Sequence, residues 1–236
     1  MRLGIHLNEI DFYSDYGIYV KERFIGNPNK NKITERVPFS NETLDFSLLY
    51  GSQTFEDRPL KYVLSLSEKS HTRYGVHLLE MQLTNVLMAG TRGRLIDEMF
   101  PGYYFEAEVQ TGPNFERFLS LGELTVDFIA YPFKKSILPE GNGEWNPFNF
   151  ELDISQVTEF TVTGTQQVSL WNVGISQLCP TIRASSQMQI TTDSGDVFTI
   201  PAGESKSYDL MLLPGENSLY ISGTGSISFV FYKEVI

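Results

Sequence analysis

Residues 26–50 contain strand-like segments but are thin in large apolar side chains, so they cannot close a core of their own. Asn27-Pro28-Asn29-Lys30-Asn31-Lys32 opens this stretch, and Arg36-Val37-Pro38 leaves a short extended piece. Residues 41–43 read as a polar turn, and Leu44-Asp45-Phe46 alternates like a strand with one face covered, a strand expected to run over 44–48 before Tyr50-Gly51 breaks it. An isolated two-stranded hairpin is marginal in water. The segment is therefore expected to project as an arm that must lie on something else. Residues 60–67 have the opposite character: Leu60, Tyr62, Leu64 and Leu66 alternate with Lys61, Val63, Ser65 and Ser67, the pattern of a core strand with one strongly apolar side.

The chain divides near residues 134–150, where Pro139, Gly141, Asn142, Gly143 and Pro147 collect. With 236 residues in all, this suits a first domain over 1–136, a linker over 137–150 and a second domain over 151–236. Short extended pieces at 3–7 and 17–24 and strands at 60–67 and 103–110 belong to the first. Its one helix is expected over 71–89, where Leu79, Leu83, Val86 and Leu87 recur at helical spacing and Gly90 sits at the end. Residues 116–133 supply a return strand with an irregularity around Gly122. The first domain thus reads as α+β. In the second, apolar runs at 160–162, 168–171, 181–182, 188–192, 197–200, 208–213, 218–222 and 226–232 alternate with turn signals at 164–165, 172–174, 193–196, 201–203, 214–217 and 223–225. That rhythm, with no helical period, predicts a β-sandwich or jelly roll, so the chain as a whole is expected to be mainly β.

Charge and composition narrow the function. Net charge is −11, and most of the acidic surplus lies after residue 136, where Arg183, Lys206 and Lys233 are the only cations. Such a domain is poorly suited to nucleic acid, whose binding depends on neutralised phosphates. The amino-terminal residues are interrupted by Asn8, Glu9 and Asp11 and lack the apolar run of a signal peptide, and no segment approaches the roughly 20 apolar residues of a membrane span. Synthesis in the cytoplasm and no membrane partner are the expectations. The single cysteine, Cys179, reads as a small buried hydrophobe.

No catalytic constellation emerges. His6, His71 and His77 all precede residue 136, and His71 and His77 are six apart, unlike helical metal pairs. Cys179 has no histidine in its domain, and no serine sits in Gly-x-Ser-x-Gly. No metal, cofactor or catalytic residue is expected. The sharpest binding alternative is carbohydrate, with Trp171 as a stacking face beside Asn172 and with Arg183 near in sequence. Against it, the domain lacks histidine, and the Val-x-Leu-Trp alternation reads Trp171 as a core residue. Trp145 reads as a clamp between domains.

Taken in order, RVP (36–38), LDFSLLYG (44–51), FEDRPL (55–60), PGYYFEAEV (101–109) and FIAYPFKK (128–135), followed by GTQQVSLWNVG, CPTI, LLPGENSLYISG and SISFVFY, resemble the distal tail proteins of siphophage-type bacteriophages and related prophage particles. The resemblance implies an amino-terminal belt domain that closes a hexameric ring at the virion tail tip and a galectin-like carboxy-terminal β-sandwich. It further implies a channel for DNA and, as partners, further copies of the chain, the tail-tube protein, a tail-associated baseplate protein and receptor-binding proteins. A ring needs a heterologous interface. Arg36, Val37, Pro38, Leu44, Phe46, Leu48 and Tyr50 of the arm are its donor candidates. Tyr103 and Tyr104, with Phe105, are either core aromatics or part of the acceptor.

Overall fold

The computed structural model describes residues 3–49, 51–66, 73–113, 115, 122–144, 151 and 153–236. In chain order the elements are β1 (Ile5–Leu7), β2 (Ile10–Asp11), α1 (Phe12–Tyr16), β3 (Ile18–Ile25), β4 (Thr34–Arg36), β5 (Thr43–Asp45), β6 (Arg58–Leu66), α2 (Arg73–Met88), β7 (Gly93–Asp97), β8 (Tyr103–Glu108), β9 (Glu123–Ala130) and β10 (Lys134–Ser136). There follow β11 (Glu159–Asn172), β12 (Thr181–Ala184), β13 (Met188–Thr192), β14 (Val197–Ile200), β15 (Gly203–Lys206), β16 (Gly215–Val230) and β17 (Glu234–Val235). The protein is mainly β. Its contacts separate two units: the first holds described residues of 1–32, 55–135 and residue 236, the second those of 33–54 and 136–235. Of the arm expected over 26–50, residues 26–32 group with the first unit and 33–49 with the second, together with the described residues of the Pro/Gly-rich stretch read as a linker.

In the first unit, antiparallel strands run in the order β2-β1-β7-β8-β9-β6-β3. Alternation along β6 buries Arg58, Leu60, Tyr62 and Leu64, and β9 answers with Leu124, Val126 and Phe128. α2 adds Leu79, Leu83 and Leu87 to this same core, the helical stripe read from the sequence. Gly90 follows at φ 86°, a backbone region that suits glycine after a helix end. A buried polar centre joins three strands: Asp97 accepts from Arg23 Nε at 3.0 Å, from the Tyr62 hydroxyl at 3.1 Å and from the Met99 amide at 3.0 Å. Burial, then the neighbouring Asp97 charge, drives the Tyr62 phenol well above its ordinary pKa, so it stays a donor.

The short helix α1 has no counterpart in the sequence reading. Its ends explain it: Asp11 Oδ1 accepts from the amides of Tyr13 at 2.9 Å and Ser14 at 3.3 Å, and Gly17 closes it at φ 66° by donating to Tyr13 O at 2.9 Å.

The second unit is built on a long ribbon. β11 and β16 pair antiparallel from Glu159↔Ser228 to Asn172↔Gly215, through the residues at 164–165 and 223–225 that read as turns. On its other side β16 changes partner: residues 227–230 pair with β12, residues 219–222 with β13. The expected turns are therefore the place where one ribbon passes between two halves of a sandwich. Val162, Ile182, Ile227 and Phe229 from one half and Leu170, Ile190, Leu219 and Ile221 from the other share one core. β14 and β15 complete the two ends. Residues 208–213, expected to be a strand, instead form a turn held by an isolated bridge between Leu178 and Leu212, which still buries Leu210 and Leu212.

The crossover needs glycine. Gly225 sits at φ 141°, and a Cβ there would lie 2.3 Å from Ser185 Oγ, which itself accepts from the Ser226 amide at 2.9 Å. Gly143, by contrast, has nothing within 4 Å of a built Cβ. Gly225→Ala is expected to cost about 1–3 kcal/mol in urea unfolding, whereas Gly143→Ala stays within about 1 kcal/mol of the parent.

Candidate functional site: an exposed apolar arm

The arm is a hairpin whose order is local. β4 and β5 pair through Thr34↔Asp45, Glu35↔Leu44 and Arg36↔Thr43. Beyond β5 the Phe46 amide donates to Ile33 O at 2.8 Å, and then the strand expected over 44–48 stops. Asp45 Oδ1 accepts from the Ser47 amide at 2.9 Å and Leu49 donates to Phe46 O at 3.0 Å, which turns Leu48 out of line.

The tip carries the strain. Ser40 donates to Val37 O at 3.2 Å, enclosing Pro38 and Phe39 in a four-residue turn, and Phe39 has φ 60°. Proline followed by a positive-φ residue is the pattern of a type II turn, whose third position favours glycine or asparagine. A phenylalanine there costs about 1 kcal/mol or more. Its ring is also fully exposed. Strain and exposure at one bulky apolar residue make Phe39 the feature of the arm that sequence reading missed, although it directly follows the RVP motif.

At the other end of the hairpin further large apolar side chains are exposed. Ile33 is 59% exposed, Leu48 63% and Leu49 64%, and Leu44 and Phe46 are also exposed. Arg36 and Pro38 lie in solvent and Val37 is half-buried. Tyr50 lies outside the described residues. So many exposed large apolar side chains on one short ribbon without its own core exceed what an ordinary surface carries over such a length. Full burial of Phe39, Leu48 and Leu49 would contribute about 1.5–3 kcal/mol each, before the costs of association.

On the first unit, Tyr103 and Tyr104 are half-buried at the start of β8, after the turn in which Tyr103 donates to Phe100 O at 3.2 Å and Gly102 takes φ 85°. Arg94 stacks on Tyr104, Cζ to ring centroid 4.5 Å. Phe105 is core. β3 ends the strand order and carries an exposed Phe24, so the sheet has a main-chain edge there among the described residues.

The carbohydrate candidates do not form one surface. Asn172 is 2% exposed and is used inside the fold: its amide donates to Ser176 O at 2.8 Å and Leu212 O at 3.0 Å, and its carbonyl accepts from the Gly174 amide at 2.9 Å. Trp171 points to the opposite face of β11 and is 38% exposed, which overturns the core reading; Leu170 and Asn172 take the buried positions of that alternation. Arg183 pairs with Glu204 at 2.9 Å beside a shallow groove lined by Glu159, Ser185 and Ser228, and Trp171 is not in that lining. Trp145 and His71 lie outside the described residues, while His6 and His77 pair with Glu98 and Glu80, each at 3.3 Å. Burial raises the Cys179 thiol, which donates to Ser207 O at 3.1 Å.

No protein-family model and no curated protein matches the sequence at a significant level. Solved structures do. The chain superposes over its full length on the full length of the Dit protein (gp 19.1) of phage SPP1, described as a paradigm of hub adsorption apparatus in phages infecting Gram-positive hosts, with a TM-score of 0.62 at 13% identity. A chain of the phage p2 baseplate in its activated, strontium-bound conformation also aligns, over 100% of this chain and 99% of that one, at TM-score 0.43 and 8% identity. The whole-length superposition on the SPP1 protein shows that this protein has the fold of a phage distal tail protein.

Proposed function

We propose that this chain is the structural hub of a phage tail tip, assembling through its arm into a closed ring, of six copies if it follows the distal tail proteins it resembles. The observation that carries the reading is the arm itself: an ordered hairpin that holds Phe39 in a strained turn and leaves its large apolar side chains uncovered. A heterologous contact, in which each copy's arm docks on the next, covers every arm once the ring closes. Candidate acceptors are the β3 edge, open to strand addition, and the Tyr103–Tyr104 surface. In this reading the ring joins the tail tube to a tail-associated baseplate protein and encloses a channel for DNA, with receptor-binding proteins attached through the second unit. The protein works at the virion tail, by surfaces and not by catalysis. A carbohydrate-binding adhesion module is the alternative. It has less support because Asn172 is committed to internal hydrogen bonds and Trp171 and Arg183 share no groove.

Two arm variants separate docking from folding. Leu48→Ser with Leu49→Ser is expected to weaken self-association at least about tenfold in sedimentation velocity, with the unfolding midpoint of the dilute chain unchanged. Phe39→Gly removes both the ring and the strain. It is expected to keep the unfolding free energy within about 1 kcal/mol of the parent while losing assembly. Unaltered assembly in both variants would refute the arm's role.

A further inference from the structure

Arg58 opens β6 on the same side as Leu60, Tyr62 and Leu64, so a guanidinium occupies a slot of the apolar stripe. It is 1% exposed, and neither Nε nor Nη1 makes a hydrogen bond. Among the described residues no carboxylate pairs with it. Its contact is the ring of Phe105, 5.7 Å from Cζ to the centroid. A second cation stands nearby: Nζ of half-buried Lys134 lies 4.8 Å from the centroid of Phe100, and Phe100 meets Phe105 edge to face at 5.8 Å. Two positive charges thus flank one aromatic pair. Burial lowers the pKa of both, and the Arg58 charge lowers that of Lys134 further.

The contrast with other cations taken from solvent is informative. Lys233 is buried against Asp153, and Arg23 meets Asp97 at 3.0 Å. Among the described residues it is an aromatic face that answers Arg58, and a ring face offers less than an ion pair. The desolvation of one partner is already complete in the single chain, so an oxyanion arriving here gains the pairing without that part of its usual cost.

We propose that Arg58 and Lys134 receive a carboxylate from the arm of a second copy of this chain. The inference rests on the ring reading above. Glu35 on β4 and Glu42 beyond the turn supply the charge: both are exposed, and among the described residues neither carboxylate has a hydrogen bond or an ion pair. They share the hairpin with Phe39 and Leu44, so apolar docking and charge pairing arrive together. Lys134, part in solvent, is the entry point. The planar guanidinium of Arg58 suits bidentate capture of a carboxylate. Apolar burial would then give the contact its strength and this pair its register.

The test compares Arg58→Met, of similar length and uncharged, with Glu35→Gln and Glu42→Gln in the full chain. Arg58→Met is expected to raise the unfolding midpoint of the dilute protein by about 2–4 °C while weakening self-association about tenfold. One of the glutamine variants weakens association to the same degree in the parent and adds nothing in the Arg58→Met background, the signature of a coupled pair. Should Arg58→Met fail to fold, Lys134→Met enters the same cycle. A lower midpoint with unaltered association would overturn the proposal and leave Arg58 a packing residue. A midpoint raised by inorganic phosphate in the parent but not in Arg58→Met, with additive glutamine effects, would assign the site to a free anion and also overturn it. If the Leu48/Leu49 variant abolishes assembly and Arg58→Met does not, this inference falls and the arm reading stands; if neither changes assembly, both fall.

Discussion

A hairpin of residues 33–49 cannot hide its own apolar side chains, and the functional account depends on that constraint. Two paired strands have two faces and no layer beneath either. Here the ribbon is pinned by β4–β5 pairing, by the Phe46–Ile33 hydrogen bond and by the Ser47 turn, yet Ile33, Phe39, Leu48 and Leu49 stay in water. Order without burial is a state that a chain leaves readily when another surface is offered. The strained Phe39 says the same from the backbone side, since glycine would serve that turn more cheaply if geometry were all that mattered.

The two units differ in how they are made. The first is a sheet whose core takes in the short α1 through Phe12 and the longer α2 through Leu79, Leu83 and Leu87, closed at its centre by Asp97 and its three donors. The second has no helix among its described residues and depends on a single ribbon, β11 with β16, that passes from one half of a sandwich to the other at glycines. Polar groups inside both units are mostly committed to partners within the fold, as Asn172 is. Arg58, the most deeply buried cation beside Lys233, has an aromatic face where Lys233 has a carboxylate, and partly buried Arg94 is met by a ring in the same way.

What could be read from the sequence obeys the same physics. β6 and α2 were legible because alternation and helical spacing are local signals, and Leu60, Tyr62, Leu64, Leu79, Leu83 and Leu87 all face the core as those signals demand. The glycines at 164, 223 and 225 misled because a turn and a strand crossover ask for the same residue; the neighbours across the gap, Met188 near Gly223 and Ser185 near Gly225, tell them apart. Residues 208–213 had a strand's composition but no edge to join beyond one bridge. Trp171 failed as a core residue by one position of register, with Leu170 and Asn172 taking the inward places. Asn172 looked like a ligand group because the sequence does not display the carbonyls of Ser176 and Leu212 that engage it. Arg58 was visible as the residue two before Leu60, yet its burial without a carboxylate is a three-dimensional fact.

The central claim is that the arm makes this chain a component of a ring. Light scattering coupled to size exclusion, run on the unaltered protein over a wide concentration series, tests it most directly. The account predicts a discrete species of several subunits, near six, that dissociates to single chains on dilution without intermediate-sized aggregates. A single chain at every concentration would contradict it.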